Sequence, residues 1–231
     1  MKYGQSSDYH ATFTRKIMTL RLALHSFAAS VLLAACQRPL HTHGPDIGPY
    51  FQPVRPGDTL HLEIEGDSVT GTIIPNALFF QTVPPALLQE IDYLADSSQA
   101  VVFGSQYFPL DDSLTAYWVK IEQHWFQHHS LLLYNQRKKV FTDRITVAEW
   151  YGGEGGQVLT GSWLFDFDGD GKKDLVRREI ERGFVPGGEE PQEYSRESVS
   201  LLLWKNGQFK ETPVPDTAAI IRRFPIRSYW E

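Results

Sequence analysis

From position 166 the chain reads Asp166-Phe167-Asp168-Gly169-Asp170-Gly171-Lys172-Lys173-Asp174-Leu175. Carboxylates fall at positions 1, 3, 5 and 9 of this segment, with glycine at position 6. Alternate residues of a tightly curled loop project inward, so the 1, 3, 5 spacing gathers three carboxylates around one point. A hard cation that takes about six to eight oxygens suits such a set. Gly171 permits the sharp turn after the third ligand, the backbone carbonyl of Lys172 supplies a further oxygen, and Asp174 closes the site directly or through water. The expected cofactor is therefore Ca²⁺, with Asp166, Asp168, Asp170, Lys172 and Asp174 as ligands. Without a cation the four carboxylates repel one another.

An EF-hand needs a bidentate Glu at position 12 between two helices. Position 12 here is Arg177, and the flanks Trp163-Leu164-Phe165 and Leu175-Val176 read as strands. The segment instead resembles the calcium loop of FG-GAP and VCBS-type repeats, D-x-[DN]-G-D-G-x-x-D-L between strands, and Asp166 to Leu175 matches every position of that pattern. The family's later strand, a hydrophobic run followed by an Asn-Gly turn and Phe, is similar to Val199 to Phe209. The resemblance covers one repeat, about Trp163 to Lys210, and implies a structural calcium ion in a β context. Two features depart from the family. The chain holds one such loop where members carry several, and the Gly-, Pro- and Glu-rich insertion Gly183 to Arg196 is longer than usual. The chain is too short to supply the blades of a closed propeller.

No other arrangement of residues carries a reaction. G-x-S-x-G, H-E-x-x-H, Walker A and G-x-G-x-x-G are all absent. The glycine-rich Gly152 to Gly156 lacks the Lys-Ser/Thr of a phosphate loop and reads as a flexible connection. His124, His128 and His129 read as a turn between strands, which does not aim an i, i+4 pair at a metal. The acidic pairs Asp111-Asp112 and Glu189-Glu190 read as solvated loops. The aromatic residues read mainly as core, with a sugar-stacking platform as the lesser alternative.

The N-terminus carries a second chemical feature. Arg15, Lys16 and Arg21 precede an apolar run, Leu22 to Ala35, that is shorter than the ~20 residues needed to span a bilayer. A basic region, a short apolar stretch and small residues at its end are the parts of an export signal. The run ends Leu33-Ala34-Ala35-Cys36, and Cys36 is the only cysteine in the chain. This resembles the bacterial lipobox, which implies cleavage before Cys36 and diacylglycerol on its thiol. The polar stretch before Met18 is long for a signal, so Met18 is an alternative start. Residues 1–35 hold four basic and one acidic residue, so the chain net of −6 becomes −9 after cleavage. No disulfide is then possible, and an acidic surface leaves the lipid as the attachment to the bilayer. Gln37, rather than Asp, follows the cysteine, which favours the outer membrane where a cell has two. No basic run suits nucleic acid.

These features divide the chain into a signal peptide, 1–35, a lipidated Cys and Pro-rich tether, 36–57, and a globular domain, 58–231. Leu60, Leu62 and Ile64 alternate with polar residues as a strand does, and Gly66-Asp67 suggests a hairpin into Val69 to Ile74. Pro84-Pro85 suggests the start of a helix over Ala86 to Leu94. Short β-branched, aromatic or Leu-rich runs follow from Ala100 to Trp204. Ser130 to Tyr134 and Ser200 to Trp204 echo each other as two similar hairpins, and Asn206-Gly207 is a type I′ turn signal. Asp216 or Thr217 is placed to cap a last helix reaching Arg223. The expected fold is a mostly β, antiparallel hairpin domain with one or two short helices, and α+β is the alternative. The expected function is a non-catalytic binding or structural lipoprotein of the cell envelope whose partner is an envelope protein or glycan. An envelope glycan hydrolase is the alternative.

Overall fold

A computed structural model describes residues 46–226, apart from 56, 58, 65, 67–68, 90, 92–93, 95–96, 154 and 186–191. Cys36 and the signal segment lie outside the described residues. Among those described, the chain is mostly β, with two short α-helices. Eight strands form an antiparallel meander: β4 (Val101–Pro109), β5 (Leu114–Gln123), β6 (Phe126–Asn135), β7 (Val140–Gly153), β8 (Gly156–Phe165), β9 (Asp174–Val185), β10 (Gln192–Lys205) and β11 (Gln208–Thr212). Three short strands join the sheet from the N-terminal side. β1 (Gln52–Pro53) runs parallel to β4, β3 (Thr72–Ile74) pairs antiparallel with β4, and β2 (Thr59–Leu62) pairs antiparallel with β8.

The hairpin expected across Gly66-Asp67 does not form. β2 and β3 go to different partners, because their apolar residues serve different cores: Leu62 packs with Leu164, while Ile74 packs with Phe79 and Val102. The expected tether also ends earlier than position 57. Ile47 and Phe51 are buried in the core, and Val54 N–H donates to the Tyr107 carbonyl at 2.9 Å. Pro53 is tolerated there because β1 is an edge strand.

The helix expected over Ala86 to Leu94 is a second correction. The helix lies before the proline pair, at α1 (Asn76–Thr82), and Pro85–Leu87 forms only a short 3₁₀ turn. A residue preceding proline is pushed out of the α region, and Val83 sits at φ −91°, ψ 125°. Pro84 thus ends a helix. The last helix, α2 (Thr217–Arg223), is capped as expected, with Asp216 accepting from Ala219 N–H at 2.9 Å.

Three apolar clusters hold the domain. The first joins α1 and the N-terminal segment to β4–β7 through Phe79, Ile74, Val102, Tyr117 and Phe141. The second, around Phe108, Trp118, Leu131, Leu164 and Trp204, links early and late strands of the meander. The third lies under α2, where Ile220 and Phe224 meet Trp163, Phe165 and Val176. Arg178 ties α2 to the sheet: it donates to the carbonyls of Ile221 and Phe224 and pairs with Glu197. The echoed segments are both strands of hairpins, β6–β7 and β10–β11.

Candidate metal centre

The aspartate loop spans 166–173, between the end of β8 and the start of β9. Phe165 pairs with Asp174 in the β8–β9 ladder, so the loop's ends are fixed by strand pairing before any side chain acts. Inside it, carboxylates take up backbone N–H groups. Asp166 accepts from Gly169 and Gly171 at 2.8 and 2.9 Å. Asp168 accepts from Asp170 N–H at 3.2 Å, and Asp170 from Lys172 N–H at 3.0 Å. Gly171 sits at φ 82°, the left-handed region that glycine enters without strain, as the sharp turn requires.

Asp174 is fully buried and holds the loop to the sheet. One oxygen accepts from Phe167 N–H at 3.0 Å and the other from Trp204 N–H, on β10, at 2.8 Å. Ligand oxygens of Asp166, Asp168 and Asp174 lie within 4.8 Å of one another. Oxygens on opposite sides of a Ca²⁺ ion are roughly 4.6–5.2 Å apart, twice the usual Ca–O distance. Three hard carboxylate oxygens at this separation are close enough to share one metal ion. Asp170 is not part of the convergent group. Its Oδ2 lies 3.1 Å from Lys205 Nζ, which also contacts Asp168 Oδ2 at 2.6 Å. That hydrogen bond, and then the one from Lys172 N–H, hold the Asp170 carboxyl below its ordinary pKa, while Asp168 and Asp170 push the Lys205 ammonium well above its own. Lys172 contributes its N–H to Asp170 within the loop.

The histidines expected in a turn belong to a strand. Only His124 is in the turn, at φ 57°; His128 and His129 are buried in β6. His128 Nδ1 lies 2.6 Å from Glu149 Oε1, and its Nε2 lies 2.6 Å from Ser130 Oγ. The order Ser, His, carboxylate is that of an activated nucleophile. Here, however, Arg144 Nη1 lies 3.1 Å from His128 Nε2 and 3.2 Å from Ser130 Oγ, so it competes for the lone pair that would take the serine proton. Ser130 is also 2 % exposed, which closes it to substrate. The group is a buried hydrogen-bond network across β6 and β7. Burial pushes the His128 pKa down, partly offset by Glu149. The alternate spacing of His128 and Ser130 signalled a shared strand face, but nothing in the sequence placed Glu149 or Arg144 against it.

At the far end of the sheet an open cavity of about 670 Å³ is lined by Gly156, Gln157, Arg182, Glu193 and Tyr194, among others. The glycine-rich segment beside it is a tight β7–β8 hairpin, with Gly153 paired to Gly156. Gly152 is required there: its φ is 144°, and a Cβ would lie 2.2 Å from the Gly156 carbonyl oxygen. No helix among the described residues is long and apolar enough to cross a membrane. Compared with known families, curated proteins and solved structures, the chain finds no match.

Proposed function

We propose that this chain is a lipid-anchored protein of the bacterial cell envelope, held by acylated Cys36, whose β domain is a non-catalytic binding or structural module pinned by one Ca²⁺. The observation that carries the calcium part is the convergence of Asp166, Asp168 and Asp174 at the β8–β9 loop. Asp166, Asp168 and Asp174 would hold the ion, with Asp170 and the Lys172 carbonyl as further ligands. A bound Ca²⁺ supplies charge neutralisation and a rigid cross-link.

The role is structural because of what the ligands are tied to. Asp174 joins the loop to β10, so order in the loop is order in the β8–β9–β10 ladder. The hydrolase alternative calls for two carboxyl groups ~5–10 Å apart flanking a cleft. Among the described residues lining the open cavity, Glu193 is the acid present.

The calcium test is thermal unfolding with Ca²⁺ and with chelator, in the wild type and in Asp168→Ala. An ion bound only by the folded state raises the melting temperature by mass action, and modules of this kind bind at roughly 10⁻⁴ to 10⁻³ M. Equal melting in millimolar Ca²⁺ and in chelator refutes the site. The anchor is tested separately by mass spectrometry of the membrane fraction. A Cys36→Ser protein that keeps its processed size and its membrane association refutes lipidation.

A further inference from the structure

Lys205 was not among the residues the sequence assigned to the loop, yet it supplies the cation that the loop meets. It is the last residue of β10, directly before the Asn206-Gly207 turn, and it pairs with Gln208 across that turn. Both turn residues have positive φ, 55° and 78°, so the hairpin fixes the Lys205 backbone. The neighbouring residue on the strand, Trp204, is buried and gives its N–H to Asp174. Thus one strand end delivers two groups to the same loop, an amide to Asp174 and an ammonium to Asp168 and Asp170.

The carboxylates divide accordingly. Both oxygens of Asp166 and both of Asp174 accept backbone N–H groups. Asp168 and Asp170 each place Oδ1 on a backbone N–H and turn Oδ2 to Lys205. A single ammonium donor therefore occupies one oxygen on each of two ligands that a calcium ion needs. It also places a positive charge where the divalent ion must approach, and at a few ångströms such repulsion amounts to a large fraction of a metal site's affinity.

We propose that Lys205 is the resident counter-cation of the aspartate loop: it keeps the loop formed without metal, and it must release Asp168 and Asp170 when Ca²⁺ binds, so that it sets the calcium affinity of the site. The proposal rests on the calcium reading of the loop given above. It also implies that the loop exchanges one cation for another.

The test is calcium titration by calorimetry on the full chain in detergent, comparing wild type, Lys205→Gln, Lys205→Arg and Asp168→Ala. Lys205→Gln is expected to bind Ca²⁺ about tenfold more tightly than wild type, Lys205→Arg no more tightly, and Asp168→Ala much more weakly. In parallel, acylation of Lys205 by a water-soluble succinimidyl ester is followed by mass spectrometry on the wild type alone. Ca²⁺ is expected to raise labelling of Lys205 several-fold over chelator, because the released ammonium becomes accessible. This arm stands even if a variant fails to fold. Wild type that binds Ca²⁺ while Lys205→Gln binds no tighter, or labelling unchanged by bound Ca²⁺, overturns the role of Lys205 and leaves the calcium site intact. No binding by wild type or by Lys205→Gln overturns both, as does binding undiminished in Asp168→Ala.

Discussion

His129 is the buried group least at ease in this domain, and replacing it with leucine is expected to stabilise the fold. Its side chain is 1 % exposed, and neither ring nitrogen has a hydrogen-bond partner among the described residues. The ring lies edge-on to Trp118, with centroids 5.9 Å apart. A neutral imidazole brings one donor and one acceptor, and each buried polar group left unmade costs about 1–3 kcal/mol. His129→Leu removes both and adds apolar burial, at the loss of the edge contact worth about 0.5–1.5 kcal/mol. The net expectation at pH 7 is a gain of about 1–3 kcal/mol. A pH dependence follows. Burial first, then Lys120 and His128, hold the His129 pKa well below 6.5. The unfolded chain takes up a proton near 6.5 while the folded chain does not, so wild-type stability is full above that pH and falls as the pH drops below it. For this residue the loss between pH 7 and 5.5 is about 1.3 kcal/mol. Urea unfolding followed by tryptophan fluorescence at both pH values measures both effects. The variant should be the more stable at pH 7 and further ahead at pH 5.5. A variant that is less stable at pH 7, or whose advantage does not grow on acidification, refutes the reasoning.

Asp174→Ala should destabilise the domain by about 2–5 kcal/mol even in chelator, since it strands two N–H donors on Phe167 and Trp204; urea unfolding in chelator checks this. Trp204→Ala empties the centre of the second core cluster and should cost about 3–5 kcal/mol by the same measurement. Asp216→Ala removes the cap of α2 and should cost about 1 kcal/mol, with faster backbone amide exchange confined to 217–223. The pairing of Lys205 with Asp170 should persist in chelator between about pH 4 and pH 10. Asp170, with a lowered pKa, loses its part as the pH falls from 3.8, and Lys205, with a raised pKa, as the pH rises past 10.5. Chemical shifts of the Lys205 side chain across that range follow both limits.

The sequence alone determined the local features of this protein. The 1, 3, 5, 9 spacing and Gly171 specify a curled aspartate loop because they act within nine residues; the structure brings Asp166, Asp168 and Asp174 together but turns Asp170, at position 5, to Lys205. Asn206-Gly207 specifies a hairpin because both residues accept positive φ, and Asp216 caps α2 through a bond to Ala219 three residues on. Alternating and β-branched runs identified the meander, where each strand pairs with its sequence neighbour. The tertiary structure decided everything that joins distant segments. β2 is taken by β8, about a hundred residues away, because Leu62 finds Leu164 there, and no local pattern encodes that choice. The proline pair served equally well to start or to stop a helix, and Phe79 packing into the first core placed the helix before it. His128 meets Glu149 and Arg144 only across the β6–β7 ladder. Lys205 reaches Asp168 from 37 positions away because the β9–β10 register sets Trp204 beside Asp174, and electrostatic partners at that separation are fixed by strand register rather than by spacing in the chain.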